Sequence, residues 1–248
     1  MKTKSSFILG VVSLMVLFAF NSCDDDNDSL DSFRIELATV NPVSEGGNSF
    51  YLTRDDKKTL VPMNSVNYKP KDNQRVYLNY TILSDAYDGY DHAIRINQMF
   101  NVLTKEVPAI STKQENDSIG NDRIHVSSAW LGDDYINVEF GYKFFNEVHF
   151  INLIDNQLAD YEDDGKVHLE FRHNAYRDSQ AQWGYGWAAF NIRPYLKEYK
   201  DEDKITFVIH YTNLNGDTKK HEIEYKKTDV NTSAAQINRG ISTSLDYE

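Results

Sequence analysis

The sequence predicts an all-β fold: a small five-stranded OB-like barrel followed by an antiparallel β-sandwich. Three observations predict it. Apolar and polar residues alternate in short runs through both halves of the chain, as half-buried strands require. Asn215-Gly216 stands between two such runs, a strong short-range hairpin signal. No stretch of the first half carries a strong amphipathic-helix pattern.

In chain order, Phe33, Ile35 and Leu37 alternate with polar neighbours, and Asn41-Pro42 and Glu45-Gly46-Gly47-Asn48 punctuate turns. Phe50 to Leu52 and Thr59 to Val61 are shorter candidates, parted by the turn-like Arg54-Asp55-Asp56-Lys57. Val76, Leu78, Tyr80 and Ile82 alternate again, as do Ile94 and Ile96. Such a run of strands suits a small barrel. Residues 106–121 are polar, with one Pro and one Gly, and read as a linker between domains or a long loop. In the second half Ile136, Val138, Phe140, Tyr142 and Phe144 alternate over a full strand length. Val148, Phe150 and Leu153 follow, then Val167, Leu169 and Phe171, then the aromatic stretch Trp183 to Phe190. Arg193 to Tyr199 suggests one short helical turn. Ile205, Phe207, Ile209 and Tyr211 lead through Asn215-Gly216 to His221–Tyr225. Strands in this number suggest a sandwich. Residues 228–248 lack periodicity and read as a flexible tail.

Composition limits the function. Lys+Arg 26 against Asp+Glu 38 gives a net charge of −12 over 248 residues, which argues against a nucleic-acid partner. Acids and bases nearly balance in 33–105, whereas 106–226 hold 22 acids and 13 bases. That contrast supports two domains. A single cysteine excludes an intramolecular disulfide and any zinc site needing two thiolates.

The cysteine's position is informative. Lys2 and Lys4 precede an apolar run, Phe7 to Phe20, that is shorter than the roughly 20 residues of a membrane span. Basic start, apolar run and small-residue site are the order of a secretory signal peptide. The run ends Phe20-Asn21-Ser22-Cys23, and a small residue directly before the cysteine resembles a lipoprotein processing site. Residues 1–22 are then a lipoprotein signal peptide, and Cys23 is the lipidated (palmitate-bearing) N-terminus of the mature chain. The bland alternative is an ordinary signal peptide with an incidental cysteine, or a signal anchor. Asp24, Asp25, Asp26 and Asp28 form an acidic tether over 23–32. A calcium loop fits poorly there, because Ser29 replaces the turn glycine and Ile35 the bidentate Glu. Acids behind a lipidated cysteine resemble the signal that exports lipoproteins to the cell surface in some Gram-negative gut and oral bacteria. An outer-membrane, exterior-facing location follows from that resemblance.

Three stretches carry a wider resemblance: Asp122 to Ile136, His168 to Asn174, and Phe190-Asn191-Ile192 with the turn after it. With the acidic cysteine start, they make residues 1–226 resemble the NigD-like lipoproteins. The resemblance implies an OB-fold domain over 33–105 and a C-terminal β-sandwich over 122–227. It implies no activity; the family name, which traces to a bacteriocin gene cluster, points by association to bacteriocin production or self-protection.

A search for chemistry finds little. No nucleophile elbow, P-loop, dinucleotide glycine pattern or His-Glu-x-x-His is present. His168 and His173, five apart on one strand, point to opposite faces, and His125, His149, His210 and His221 each stand alone on different strands. We therefore expect no enzyme, no cofactor and no metal site. Glu162-Asp163-Asp164-Gly165 and Asp201-Glu202-Asp203 read as polar turns. Trp183, Tyr185 and Trp187 share one face of a strand, with Gly184 and Gly186 on the other. Exposed, the three are a stacking platform for a protein or glycan partner; buried, they are sandwich core. Asp28-Ser29-Leu30 and Asp117-Ser118-Ile119 resemble a bacterial Asp-Ser/Thr-apolar O-glycosylation acceptor, which nominates Ser29 and Ser118. The function expected is non-catalytic binding at the envelope, with a protective or immunity role as the alternative.

Overall fold

The computed structural model describes residues 33–227. Cys23, the tether acids Asp24, Asp25, Asp26 and Asp28, Ser29 and the tail 228–248 lie outside the described residues.

The first domain holds β1 (Phe33–Pro42), β2 (Phe50–Arg54), β3 (Thr59–Pro62), β4 (Arg75–Tyr87) and β5 (Tyr90–Asn101). They close into a barrel in the order β1-β2-β3-β5-β4. Each strand predicted from alternation is present. The alternating residues Val76, Leu78, Tyr80 and Ile82 point into the barrel with Val40, Leu52, Leu60 and Ile94. β3 and β5 pair in parallel, which closes the barrel across the β3–β4 connection.

The second domain is a sandwich. One sheet has the order β14-β13-β11-β10-β7, the other β6-β12-β9-β8. The strands are β6 (Leu103–Glu106), β7 (Ala109–Ile110), β8 (His125–Gly132), β9 (Tyr135–Phe144), β10 (Phe150–Asn156), β11 (Val167–Asn174), β12 (Gln182–Asn191), β13 (Lys204–Thr212) and β14 (Thr218–Lys226). Phe140, Phe171, Phe190 and Phe207 fill the space between the sheets. Three pairs are parallel, β6–β12, β7–β10 and β11–β13, and the others antiparallel. Residues 193–198 form α2 (Arg193–Glu198), with Pro194 in its first turn, where a missing N–H costs nothing.

The stretch read as a linker, 106–121, is part of the sandwich. Glu106 ends β6, residues 109–110 are β7, and residues 113–119 are α1 (Lys113–Ile119). Parallel pairing to β10 and β12 makes these strands, and that is a tertiary event with no local pattern. α1 buries no residue and rests on its capping box, in which Thr112 and Glu115 exchange hydrogen bonds. Ser118 therefore lies on a helix and not in a linker; its hydroxyl donates to the Glu115 carbonyl at 2.8 Å. The Asn215-Gly216 turn is wider than a two-residue hairpin. Thr212 pairs with Thr218, and the Asn213 side chain accepts from the N–H groups of Asn215 and Asp217, both at 2.9 Å.

The two domains are fastened by a small core and a ring of charge. Leu37 of β1, Val102, Tyr135 of β9 and Ala189 of β12 pack together, with Tyr77, Trp130 and Trp187 against them. Arg75, fully buried, pairs with Asp55 and donates to Thr39 and Asn137. Trp130 Nε1 also donates to Asp55, at 3.1 Å. Lys57 joins Asp133 and Asp134, and Arg193 joins Asp134 at 2.9 Å and Asn73 at 2.8 Å. Burial works against the Lys57 ammonium, but the two aspartates overcome it and raise its pKa. The Trp130-Leu131-Gly132-Asp133-Asp134-Tyr135 stretch of the family resemblance thus builds the domain contact.

Candidate binding surface

β12 sets the candidate surface, because its side chains alternate across the sheet. Gly184, Gly186 and Ala188 face the interior, while Trp183, Tyr185 and Trp187 face outward. The register with β9 is unbroken from Gln182–Phe144 to Asn191–Tyr135, so the three aromatics stand in a straight row. Phe144 fills the space that the absent Gly184 side chain leaves. Tyr185 lies across Gly141 of β9, 3.1 Å from where a Cβ would stand, so an aromatic covers a cross-strand glycine.

The row divides in two. Trp183 is 43% exposed and Tyr185 38%, with ring centroids 5.9 Å apart and planes at 16°. Trp187 is half-buried and belongs to the interdomain contact, 5.8 Å from Tyr77 of the barrel. The stretch is therefore exposed at Trp183 and Tyr185 and part of the domain contact at Trp187. Tyr77 stacks in turn on Phe100, at 4.4 Å and 12°, and Phe100 is exposed. The aromatic strip therefore runs from Trp183 across the domain junction to Phe100. Sequence reasoning missed Tyr77, Phe100 and Lys143. The Lys143 ammonium stands 5.7 Å from the centre of the Trp183 ring, within cation–π range. Lys143 carries a legible signal, since it precedes Phe144 on an alternating strand; Phe100 carries none.

The rim beyond Trp183 is held by a buried relay. Asp178 accepts from the N–H groups of Phe145 and Asn146 and contacts His149 Nε2 at 3.2 Å. His149 Nδ1 meets His173 Nε2 at 2.8 Å, and His173 Nδ1 meets the Arg123 carbonyl at 3.0 Å. Both ends of this chain only accept hydrogen bonds. Against the cost of burial, the loop N–H groups and His149 hold the Asp178 carboxyl well below the usual range. Burial, with the charge of His149, lowers the pKa of His173.

The histidines, read as solitary, therefore pair in space. His168 and His173 do face opposite sides, but His168 Nδ1 meets His210 Nε2 at 2.9 Å, and Asp164 holds the other side of His168 at 3.1 Å. Tyr161 stacks on both rings. Beside them lies a cleft of about 120 Å3. Its Glu170 and Arg172 bond each other, and Arg172 also bonds the Gly120 carbonyl and Asn116 Oδ1, so its charges are already satisfied. No group of three or more His, Cys, Asp or Glu with metal-binding geometry occurs among the described residues. No helix among them is long and apolar enough to cross a membrane.

Fold and surface together define a two-domain all-β protein, an OB-type barrel fixed to a sandwich that carries an outward aromatic strip. Residues 37–102 match the NigD-like N-terminal OB domain and residues 107–225 the NigD-like C-terminal beta sandwich domain. The chain belongs to the NigD-like family. A solved structure from Parabacteroides distasonis ATCC 8503, which bears the name toxin related protein, is 35% identical. It covers 80% of this chain and 96% of its own, with a TM-score of 0.66. A NigD-like immunity protein from Bacteroides caccae ATCC 43185 is 21% identical over 80% of this chain and 99% of its own, at 0.60. A chain from Bacteroides fragilis NCTC 9343 bearing the name lipoprotein is 16% identical over 79% of this chain and 100% of its own, at 0.53. At their identities the last two bear on fold alone. No curated protein matches this chain.

Proposed function

We propose that this chain is a lipid-anchored envelope protein, displayed on the outer face of the outer membrane, that binds a partner without catalysis. The observation that carries the binding reading is the pair Trp183 and Tyr185, exposed, nearly parallel and held over glycine on a rigid sheet. Large aromatics left in water on a strand serve recognition more readily than stability. The Trp183→Ala/Tyr185→Ala double variant tests it: folding stays intact while binding to the partner is lost. The partner is a protein or a glycan.

The anchor reading rests on Ser22-Cys23 after the apolar run, and the display reading on Asp24, Asp25, Asp26 and Asp28. Cys23→Ala is expected to release the chain from the membrane fraction. Neutralising the four aspartates is expected to keep it membrane-bound but shield it from external protease. Glycosylation at Ser29 or Ser118 belongs to the same reading; an unmodified peptide spanning Ser118 in the native protein ends it for that site.

A second reading is protection against a toxin or bacteriocin. It is favoured by the family name and by the name of the 35% identical relative. Deleting the gene and challenging the strain with its own culture supernatant decides it, and unchanged sensitivity removes the reading.

A further inference from the structure

We propose that the end of the sandwich remote from the barrel, where Phe145, Val148, Phe150 and Tyr176 stand exposed on two joined loops, dips into the surface of the lipid bilayer that carries the protein. The inference rests on the anchor reading above, which supplies the bilayer, and adds a second contact with it.

β9 sets where this end lies. It starts at Tyr135, in the domain contact, and finishes at Phe144, about 30 Å away. The β9–β10 loop holds Phe145 and Val148, β10 begins at Phe150, and the β11–β12 loop holds Tyr176. Phe145 is 47% exposed, Val148 73%, Phe150 46% and Tyr176 54%. Tyr176 meets Phe150 edge to face, with ring centroids 5.3 Å apart. Asp178, two residues on, accepts from the Phe145 and Asn146 N–H groups and contacts His149, which ties the two loops together. Large apolar side chains gathered in water mark a contact with a protein or a membrane.

The exposure of Tyr176 is built into the loop. Tyr176 and Arg177 have φ of 48° and 64°, in the left-handed region that bulky residues rarely adopt. Hydrogen bonds hold them there. Asp122 Oδ2 accepts from the Ala175 N–H at 2.7 Å, and Asn174 Oδ1 accepts from the Tyr176 N–H at 2.9 Å. The Asp178 N–H donates to the Ala175 carbonyl at 2.8 Å. Such strain persists only where the surroundings over-determine it, and it gathers at functional sites.

Charge and chain length point to the bilayer. Residues 106–226 carry 22 acids and 13 bases, whereas 143–150 and 174–181 together carry two of each. The Asp178 carboxylate is buried, so the charges presented at this end are Lys143, Arg177 and Glu147. An anionic lipid surface repels an acidic domain, and this end is where the repulsion is relieved. Aromatic rings flanked by Lys or Arg are what the headgroup region accepts. Ten peptide steps part Cys23 from Phe33, so a lipidated cysteine holds β1 within about 36 Å of the bilayer. At that range the effective concentration of lipid surface is high, and a shallow apolar contact that is weak from free solution becomes populated.

The test uses the full mature chain carrying Cys23→Ala, so that no acyl chain contributes, with vesicles of phosphatidylethanolamine and phosphatidylglycerol. The chain is expected to sediment with the vesicles. Phe145→Asp/Val148→Asp is expected to weaken that binding about tenfold or more at an unchanged urea midpoint. Val43→Asp alters an exposed apolar residue in the β1–β2 loop of the barrel and is expected to change nothing. With position 23 replaced, Val148→Cys supplies the one thiol of the chain. A polarity-sensitive fluorophore attached there is expected to shift to the blue on vesicle addition, and one attached through Val43→Cys to stay unchanged. Absence of sedimentation, equal losses at the two apolar sites, or a silent fluorophore at 148 overturns the inference. Dimerisation or capture of a protein partner that depends on Phe145 and Val148 while vesicles are ignored also overturns it, and assigns this end to a second copy or a protein. Failure with vesicles leaves the anchor reading standing. Vesicle binding together with an unlipidated Cys23 in the native protein overturns the anchor reading alone.

Discussion

The two halves of β12 have the same neighbour on one side and the same alternating sequence, yet opposite environments. From Trp187 to Asn191 the strand lies between β9 and β6 or beneath the barrel, and Ala188, Ala189 and Phe190 are fully buried. From Gln182 to Tyr185 it pairs with β9, and the Trp183 and Tyr185 side chains are exposed. The residue types do not separate the halves, since Trp183 and Trp187 stand four apart on one face. The difference is in what lies over them. A tryptophan becomes core where another domain covers it and stays surface where none does.

The largest expected effect breaks the covered side. Arg75→Ala removes a fully buried guanidinium and leaves Asp55 without its counter-charge, which costs about 3–5 kcal/mol for a buried pair. A fall of that size in the unfolding free energy measured by urea titration checks it, and a near-neutral result removes the charge ring from the account of domain fastening. Next, Trp187→Ala is expected to cost about 2–3 kcal/mol through lost interdomain packing, against about 0.5 kcal/mol or less for Trp183→Ala. Equal costs at the two positions would collapse the comparison between the halves of β12.

Acid probes the rim beside Trp183. Burial lowers His173 and His210 below the ordinary histidine value of 6.5, with His149 adding to the effect at the first and His168 at the second. The unfolded chain then binds protons that the folded chain resists, so stability is expected to decline as pH falls below about 6.5. Lys220 adds to this at His210 and Glu170 opposes it. Asp178 and Asp134, held low, keep their contribution until pH drops through the carboxylate range. Denaturant midpoints between pH 7.5 and 5 check the decline, and His210→Asn is expected to make it shallower. The smallest effect lies far from β12. Glu115→Ala removes half of the α1 capping box and costs about 1 kcal/mol, locally. Faster amide exchange in residues 113–119, without change elsewhere, identifies it.

Much of the fold was legible in the sequence because its strands are half-buried and amphipathic. β4, β9 and β13 announce themselves by period two alone. β7 has two residues and exists only because Asp155 and Asn156 lie beside it, so no local pattern predicts it. α1 was equally hidden by its lack of a buried face, although Thr112 and Glu115 offered a capping signal that polarity obscured. At the candidate surface, Trp183, Tyr185 and Trp187 were legible as a row, but Phe100 and Tyr77 come from another domain. The histidine pairs show the same limit: positions 168 and 210, or 149 and 173, become neighbours only through strand pairing and loop return.

By itself the sequence determined the all-β class, the two-domain division and which residues of β12 share a face, since each follows from local composition and a two-residue period. The tertiary structure decided that residues 107–119 join the sandwich, that Trp187 serves the domain contact, and that the Trp183 and Tyr185 side chains stay exposed. Those outcomes depend on which surfaces meet, and contacts between residues distant in the chain leave no periodic trace in it.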